Sequence, residues 1–247
     1  MEFRSKAQTG ALLILWLSAS SFAAEPLTFE VRHRHLRHGA VGTLRVVDDQ
    51  LTFGEGGKHK AHSRLWRFGN IRQLMLSPEV LRILTYEESQ LKFGHDREFV
   101  FDRLPEDLAA KLYPVFSLRL DQRFVAAIAD SQVKALWEMP VKLLRTIGAS
   151  QGAIVFGADH IVYRTESTEQ SRTWRIKDID MVSSSGPFDL TITTFELAGS
   201  NYAGHKDFHF ALKQPLAEGE YDGLWQRVNQ AKGLPILNSS IPEGKNQ

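Results

Sequence analysis

The sequence predicts a mainly β chain with some α, folded as two tandem seven-stranded antiparallel sheets, each closed by a C-terminal helix. Three observations lead there. The phrase SRLWRFGNI at residues 63–71 returns, little changed, as SRTWRIKDI at residues 171–179. Apolar residues alternate at a period of two through short runs separated by turn residues, as strands with one buried face do. Each half then ends in a run opened by proline whose apolar residues fall on one helical face.

Sliding the chain on itself by about 110 residues extends the match beyond the repeated phrase. GTLRVVDDQLTF (Gly42 to Phe53) lies over GAIVFGADHIVY (Gly152 to Tyr163), so Leu44, Val46, Leu51 and Phe53 correspond to Ile154, Phe156, Ile161 and Tyr163. Asp49 falls over Asp159 at the turn between the two strands. LRILTYE (Leu81 to Glu87) lies over LTITTFE (Leu190 to Glu196), and REFVFD (Arg97 to Asp102) over KDFHFA (Lys206 to Ala211). The inward pairs are kept while the outward residues vary. Strands are expected near 27–36, 41–47, 50–54, 63–68, 70–76, 80–87 and 97–102, and again near 138–147, 151–156, 160–165, 172–176, 178–184, 188–196 and 206–211.

In the second copy Pro215, Glu218 and Glu220 open a helix that carries Tyr221, Leu224, Trp225 and Val228 on one face, and Gly233 and Pro235 stop it. In the first, Pro105, Glu106 and Asp107 precede Leu108, Leu112 and Phe116, and Pro114 is expected to kink or end the helix. This order of elements, the W-x-x-x-x-I phrase and the strand end [YF]-E resemble the pleckstrin-homology-like superfold, with its bacterial and GRAM-type relatives. The resemblance covers residues 27–118 and 138–231, and Trp225 would match the closing-helix tryptophan of that family. It implies a binding module, and none of its features is an enzymatic signature.

The first residues set Arg4 and Lys6 ahead of a short apolar run and small residues at Ser21 and Ala23, the pattern of a signal peptide over 1–23 and of an exported, periplasmic or extracellular protein. The first repeat then occupies 24–118, a partly helical linker 119–137, the second repeat 138–233, and a polar tail 234–247. Within the linker RFVAAIAD has the composition of a short helix. With no cysteine, disulfides are excluded. A net charge of +1 shows no footprint for a nucleic-acid backbone, and no integral membrane segment is expected in the mature chain.

The chain contains no G-x-S-x-G elbow, H-E-x-x-H, Walker loop or G-x-G-x-x-G, so a non-enzymatic role without a cofactor is expected. His205 and His209 share the four-residue offset of helical zinc sites, but in a strand that offset spans about 13 Å. The concentrated oddity is RHRHLRHG, residues 32–39. His33 and His35 on one face of the strand, with His38 in the turn, could bind zinc or copper, or titrate together near neutrality. They equally continue a half-buried strand face.

By the family resemblance, the basic residues of the first strand, its loop and the second strand would hold an anionic ligand. Arg34, Arg37, His38 and Arg45 occupy those places, with Lys58 and Lys60 in a later loop. The leading expectation is an interaction or scaffold protein binding an unknown protein or an anionic ligand, at exposed strand edges and at this mouth. The alternative is a histidine-dependent metal or small-molecule binder, and a lipocalin-like ligand-holding barrel is a third possibility.

Overall fold

The computed structural model describes residues 26–34, 39–56, 63–89, 93–167, 169–198 and 204–233; the expected leader and tail lie outside them. The first half contains β1 (Leu27–His33), β2 (Ala40–Val47), β3 (Gln50–Glu55), β4 (Arg64–Arg67), β5 (Ile71–Leu76), β6 (Val80–Glu88), β7 (Asp96–Asp102) and the helix α1 (Leu108–Arg119). β8 (Phe124–Ala126) follows. The second half contains β9 (Trp137–Leu144), β10 (Ala149–Phe156), β11 (His160–Arg164), β12 (Arg172–Arg175), β13 (Ile179–Ser183), β14 (Asp189–Leu197), β15 (His205–Leu212) and the helix α2 (Glu218–Ala231).

The expectation of two separate antiparallel sheets, each ended by its own helix, is overturned. All fifteen strands form one sheet in the order β13-β14-β15-β9-β10-β11-β12-β8-β5-β6-β7-β1-β2-β3-β4. Only α2 stands as a closing helix at the C-terminal end, because α1 leads directly into β8. RFVAAIAD, read as a helix, supplies this fusing strand. β8 runs parallel to β5, with Leu74 opposite Phe124 and Leu76 opposite Ala126, and antiparallel to β12, with Ala126 opposite Thr173. Its three residues are all buried. A segment covered on both faces and bonded at both edges is held as a strand whatever its helix propensity, since packing and pairing override a weak local preference.

Within each half the apolar alternation sets the register. β2 turns Ala40, Gly42, Leu44 and Val46 inward and leaves Val41, Thr43 and Arg45 exposed. Leu44 pairs with Phe53 and Val46 with Leu51; the twin pairs Ile154–Tyr163 and Phe156–Ile161 join β10 to β11. Asp48 takes the tight turn between β2 and β3 at φ 44°, a left-handed conformation that aspartate tolerates better than most residues.

The repeated phrase is a corner. β4 and β5 are separated in sequence by the 3-10 turn Phe68–Asn70, yet they stand at opposite ends of the first half's strand order. The seven strands must therefore curl until their ends nearly meet, and Trp66 and Ile71 are buried inside that curl. Ile176–Asp178 makes the same corner in the second half, with Trp174 and Ile179 buried. Two apolar clusters result, one around Leu44, Phe53, Phe101 and Phe116, the other around Ile154, Tyr163, Phe210 and Leu224.

α1 continues through Pro114 instead of ending there. Pro114 and Ala110, whose carbonyl the ring deprives of its amide partner, both face solvent, so water can serve that carbonyl while Leu108, Leu112 and Phe116 hold the helix on the core. In α2 the buried residues are Leu224 and Val228; Trp225 is 45% exposed. No helix among the described residues is long and apolar enough to cross a membrane.

Arg175 clamps the joint around β8. Its guanidinium donates to the carbonyls of Ser117 (2.5 Å), Leu120 (3.2 Å) and Asp121 (2.7 Å), at the C-terminal end of α1, and to the Asp178 carboxylate. Burial pushes the Asp178 carboxyl up, against the pull of Arg175. Thr173 Oγ1 donates to the Ile128 carbonyl and accepts from the Asp130 amide. We expect Arg175→Ala to destabilise the chain by about 3 kcal/mol, because it strands a buried carboxylate and several helix-end carbonyls. Arg67→Ala, at the exposed twin position, should change stability by less than about 0.5 kcal/mol. Urea unfolding of the two variants checks the contrast.

Candidate functional site

The repeat carries a charged cluster in each half. In the second, the Arg172 guanidinium donates to both Glu196 oxygens at 3.0 and 3.1 Å, and Lys206 Nζ donates to Oε1 at 2.5 Å. Arg172 and Lys206 also lie over the Phe208 ring, against whose edge Trp174 packs at 4.8 Å. Burial alone would push Glu196 up, but the charges of Arg172 and Lys206 outweigh it and hold the carboxyl at about 2. The first half repeats the arrangement with Arg64, Glu87 and Arg97 around Phe99, at ion-pair distances of 3.5 and 3.6 Å. There the glutamate side chain is 50% exposed, against 4% for Glu196.

The difference follows from β8. A cavity of about 10 Å³, room for one water at most, lies between Phe124–Ala126 and Trp174, Thr194 and Glu196. β8 thus lids the second cluster. β4, the twin of β12, is the last strand of the sheet, and among the described residues no strand pairs with its outer edge.

This open edge is the candidate site. Leu65 is 55% exposed, where its twin Thr173 is buried. On the outward face Arg45 pairs across with Thr52, and Thr52 with Leu65; one step along, Gln50 pairs with Arg67. A shallow hollow of about 460 Å³ lies along Thr43, Arg45, Thr52, Arg64 and Leu65. A larger cleft of about 960 Å³ opens in the second half between the β9–β10 turn and β15. Arg145, Arg172 and Lys206 line it together with Glu169 and Asp207, and Arg172 and Lys206 are committed to the buried Glu196, so the charges of the lining and of that ion pair cancel. It offers no surplus of positive charge to an anion.

Of the residues expected to hold an anion, Arg45 stands beside the open edge. Arg34 lies elsewhere, donating with Arg32 to Asp102 at 2.5 to 2.7 Å. Hydrogen bonding from Arg32 and Arg34 holds the Asp102 carboxyl at about 2, against the opposing effect of burial. Arg37, His38, Lys58 and Lys60 lie outside the described residues, as does His35. Of the histidine trio the structure thus places only His33, which is buried among aromatic rings, 5.0 Å from Phe101 and 5.6 Å from Phe53 between centroids. Among the described residues no three His, Asp or Glu side chains are arranged to hold a metal. Sequence reading missed Leu65 and Asp102. Leu65 was legible as an outward leucine in an alternating strand whose counterpart is threonine.

No family model and no curated protein matches the chain. Among solved structures it is similar to the Spt16D Pob3N heterodimer, at 11% identity and a TM-score of 0.33, over 75% of this chain and 96% of that one. It is also similar to the C-terminal domain of an unknown protein from Leishmania infantum, at 10% identity and a TM-score of 0.29, over 38% of this chain and 84% of that one. At these scores neither likeness carries an argument about fold or function.

Arg172→Ala should cost about 3 to 5 kcal/mol by leaving Glu196 buried with one cation, while Arg64→Ala should cost less than about 1 kcal/mol. The carboxyls of Glu196 and Asp102 are both depressed on folding, so their contribution is complete above their unfolded pKa near 4 and is lost as pH falls towards about 2. Thermal unfolding followed between pH 7 and 2 should show that fall, reduced in Glu196→Gln.

Proposed function

We propose that this is an exported, non-enzymatic interaction protein whose outward β4 edge takes a segment of a partner protein. One observation carries the reading: β12 has its edge filled by β8, and β4, built from the same repeated phrase, offers the same edge unfilled among the described residues. An unpaired strand presents a row of N–H and C=O groups that another chain can complete. The sequence supports the non-enzymatic part through its lack of reactive motifs, and export through the pattern of residues 1–23. The charge-balanced larger cleft does not favour an anionic small molecule over a protein.

A photo-reactive side chain placed at Leu65 should give, on irradiation in the producing cell, one adduct of defined mass. The same group at exposed Phe188 in the second half should give none. Adducts absent from Leu65, or equal at both positions, would remove the edge as the site of interaction.

A further inference from the structure

The chemistry of the segment that fits β4 can be read from what β8 does for β12. β8 is antiparallel to β12, with Ala126 opposite Thr173; continuing that register sets Phe124 opposite Arg175. Thr173 is polar, buried and hydrogen-bonded to the chain that follows β8. Leu65 replaces it with an exposed apolar side chain, which calls for an apolar neighbour. The second substitution concerns charge. Arg175 is neutralised by Asp178 three residues on, and the corresponding residue after Arg67 is Asn70. Arg67 keeps its cation, but its corner has lost the acid, and among the described residues no carboxylate pairs with it. Arg45, across Thr52 from Leu65, adds a second cation on the same face.

Resting on the reading of β4 as the interaction edge, we propose that it binds an extended segment added antiparallel, with an apolar residue opposite Leu65 and an acidic residue opposite Arg67. In an antiparallel pair the acid then precedes the apolar residue by two positions in the partner. Arg67 and Arg45 repel basic segments and so also restrict which strands can add, the ordinary guard on a short edge.

The test is a fluorescence-anisotropy titration of the full chain with two labelled, capped peptides, SVTETITVS and SVTKTITVS. The glutamate peptide should bind at least about tenfold more tightly than the lysine peptide, and Arg67→Glu should reverse that order. Equal binding, no binding at millimolar protein, or an order unchanged by Arg67→Glu overturns the proposal. Two parallel measurements identify the other occupants. Arg67-dependent sedimentation with phosphatidylglycerol vesicles would assign the patch to a lipid surface, and self-association in sedimentation velocity that Arg67→Glu abolishes would assign it to a second copy; either overturns the proposal. If neither peptide binds while Leu65 still gives its single adduct, the partner chemistry falls and the interaction edge stands. If the adduct is missing as well, both fall.

Discussion

Backbone pairing of β8 on both its edges is the constraint on which the rest of the architecture depends. A three-residue strand has little stability of its own. Here it is bonded to β5 on one side and β12 on the other, and Leu74 and Ala127 extend the ladder with bonds to the Arg123 and Leu76 carbonyls. Two curled seven-strand halves thereby become one continuous sheet. Arg175 reinforces the junction from the second half, and Arg123 from the first, where its guanidinium reaches the Phe68 and Ile71 carbonyls at 3.1 and 3.2 Å. Both arginines serve carbonyls at or beside a corner or helix end, places where regular structure leaves acceptors without partners.

The same strand explains why two copies of one motif have diverged in energy. Around Glu196 the cost of burial is met by a bidentate arginine and a lysine, and loss of either cation would strand a charge in a medium that solvates it poorly. Around Glu87 solvent does much of that work, so the pairs are longer and individually weak. Nothing in the local sequence of the two clusters requires this contrast. It comes from a lid contributed by residues about 70 positions away from Glu196.

Most of the local architecture was legible for that reason. The alternation around Leu44 and Phe53, or Ile154 and Tyr163, depends on one buried face and needs no knowledge of distant partners. The repeated tryptophan and isoleucine likewise mark a corner whose geometry is local. What escaped was the joining of the halves, because Phe124 to Ala126 carry a composition compatible with helix and are decided by edges that only the tertiary fold presents. Arg34 is a similar case. Its sequence neighbours suggested an anion site, whereas the pairing of β1 with β7 brings Asp102 beside it. Glu87 and Glu196 were visible as matching strand ends, but the partners that distinguish them were not.

Among the described residues both end strands of the sheet, β13 and β4, lack an outer neighbour, and an open edge requires a physical reason, since unpaired backbone favours indiscriminate association. The chain has the means to close such an edge, and uses them on β12. At β4 it instead changes threonine to leucine and aspartate to asparagine while retaining both arginines of the phrase. Each change would weaken a copy of the internal joint: leucine cannot make the Thr173 bonds, and asparagine cannot neutralise Arg67. Together they convert a surface suited to the chain's own connecting strand into one that favours a segment with a carboxylate and an apolar side chain. That combination of retained shape and altered chemistry separates β4 from a merely unfinished edge.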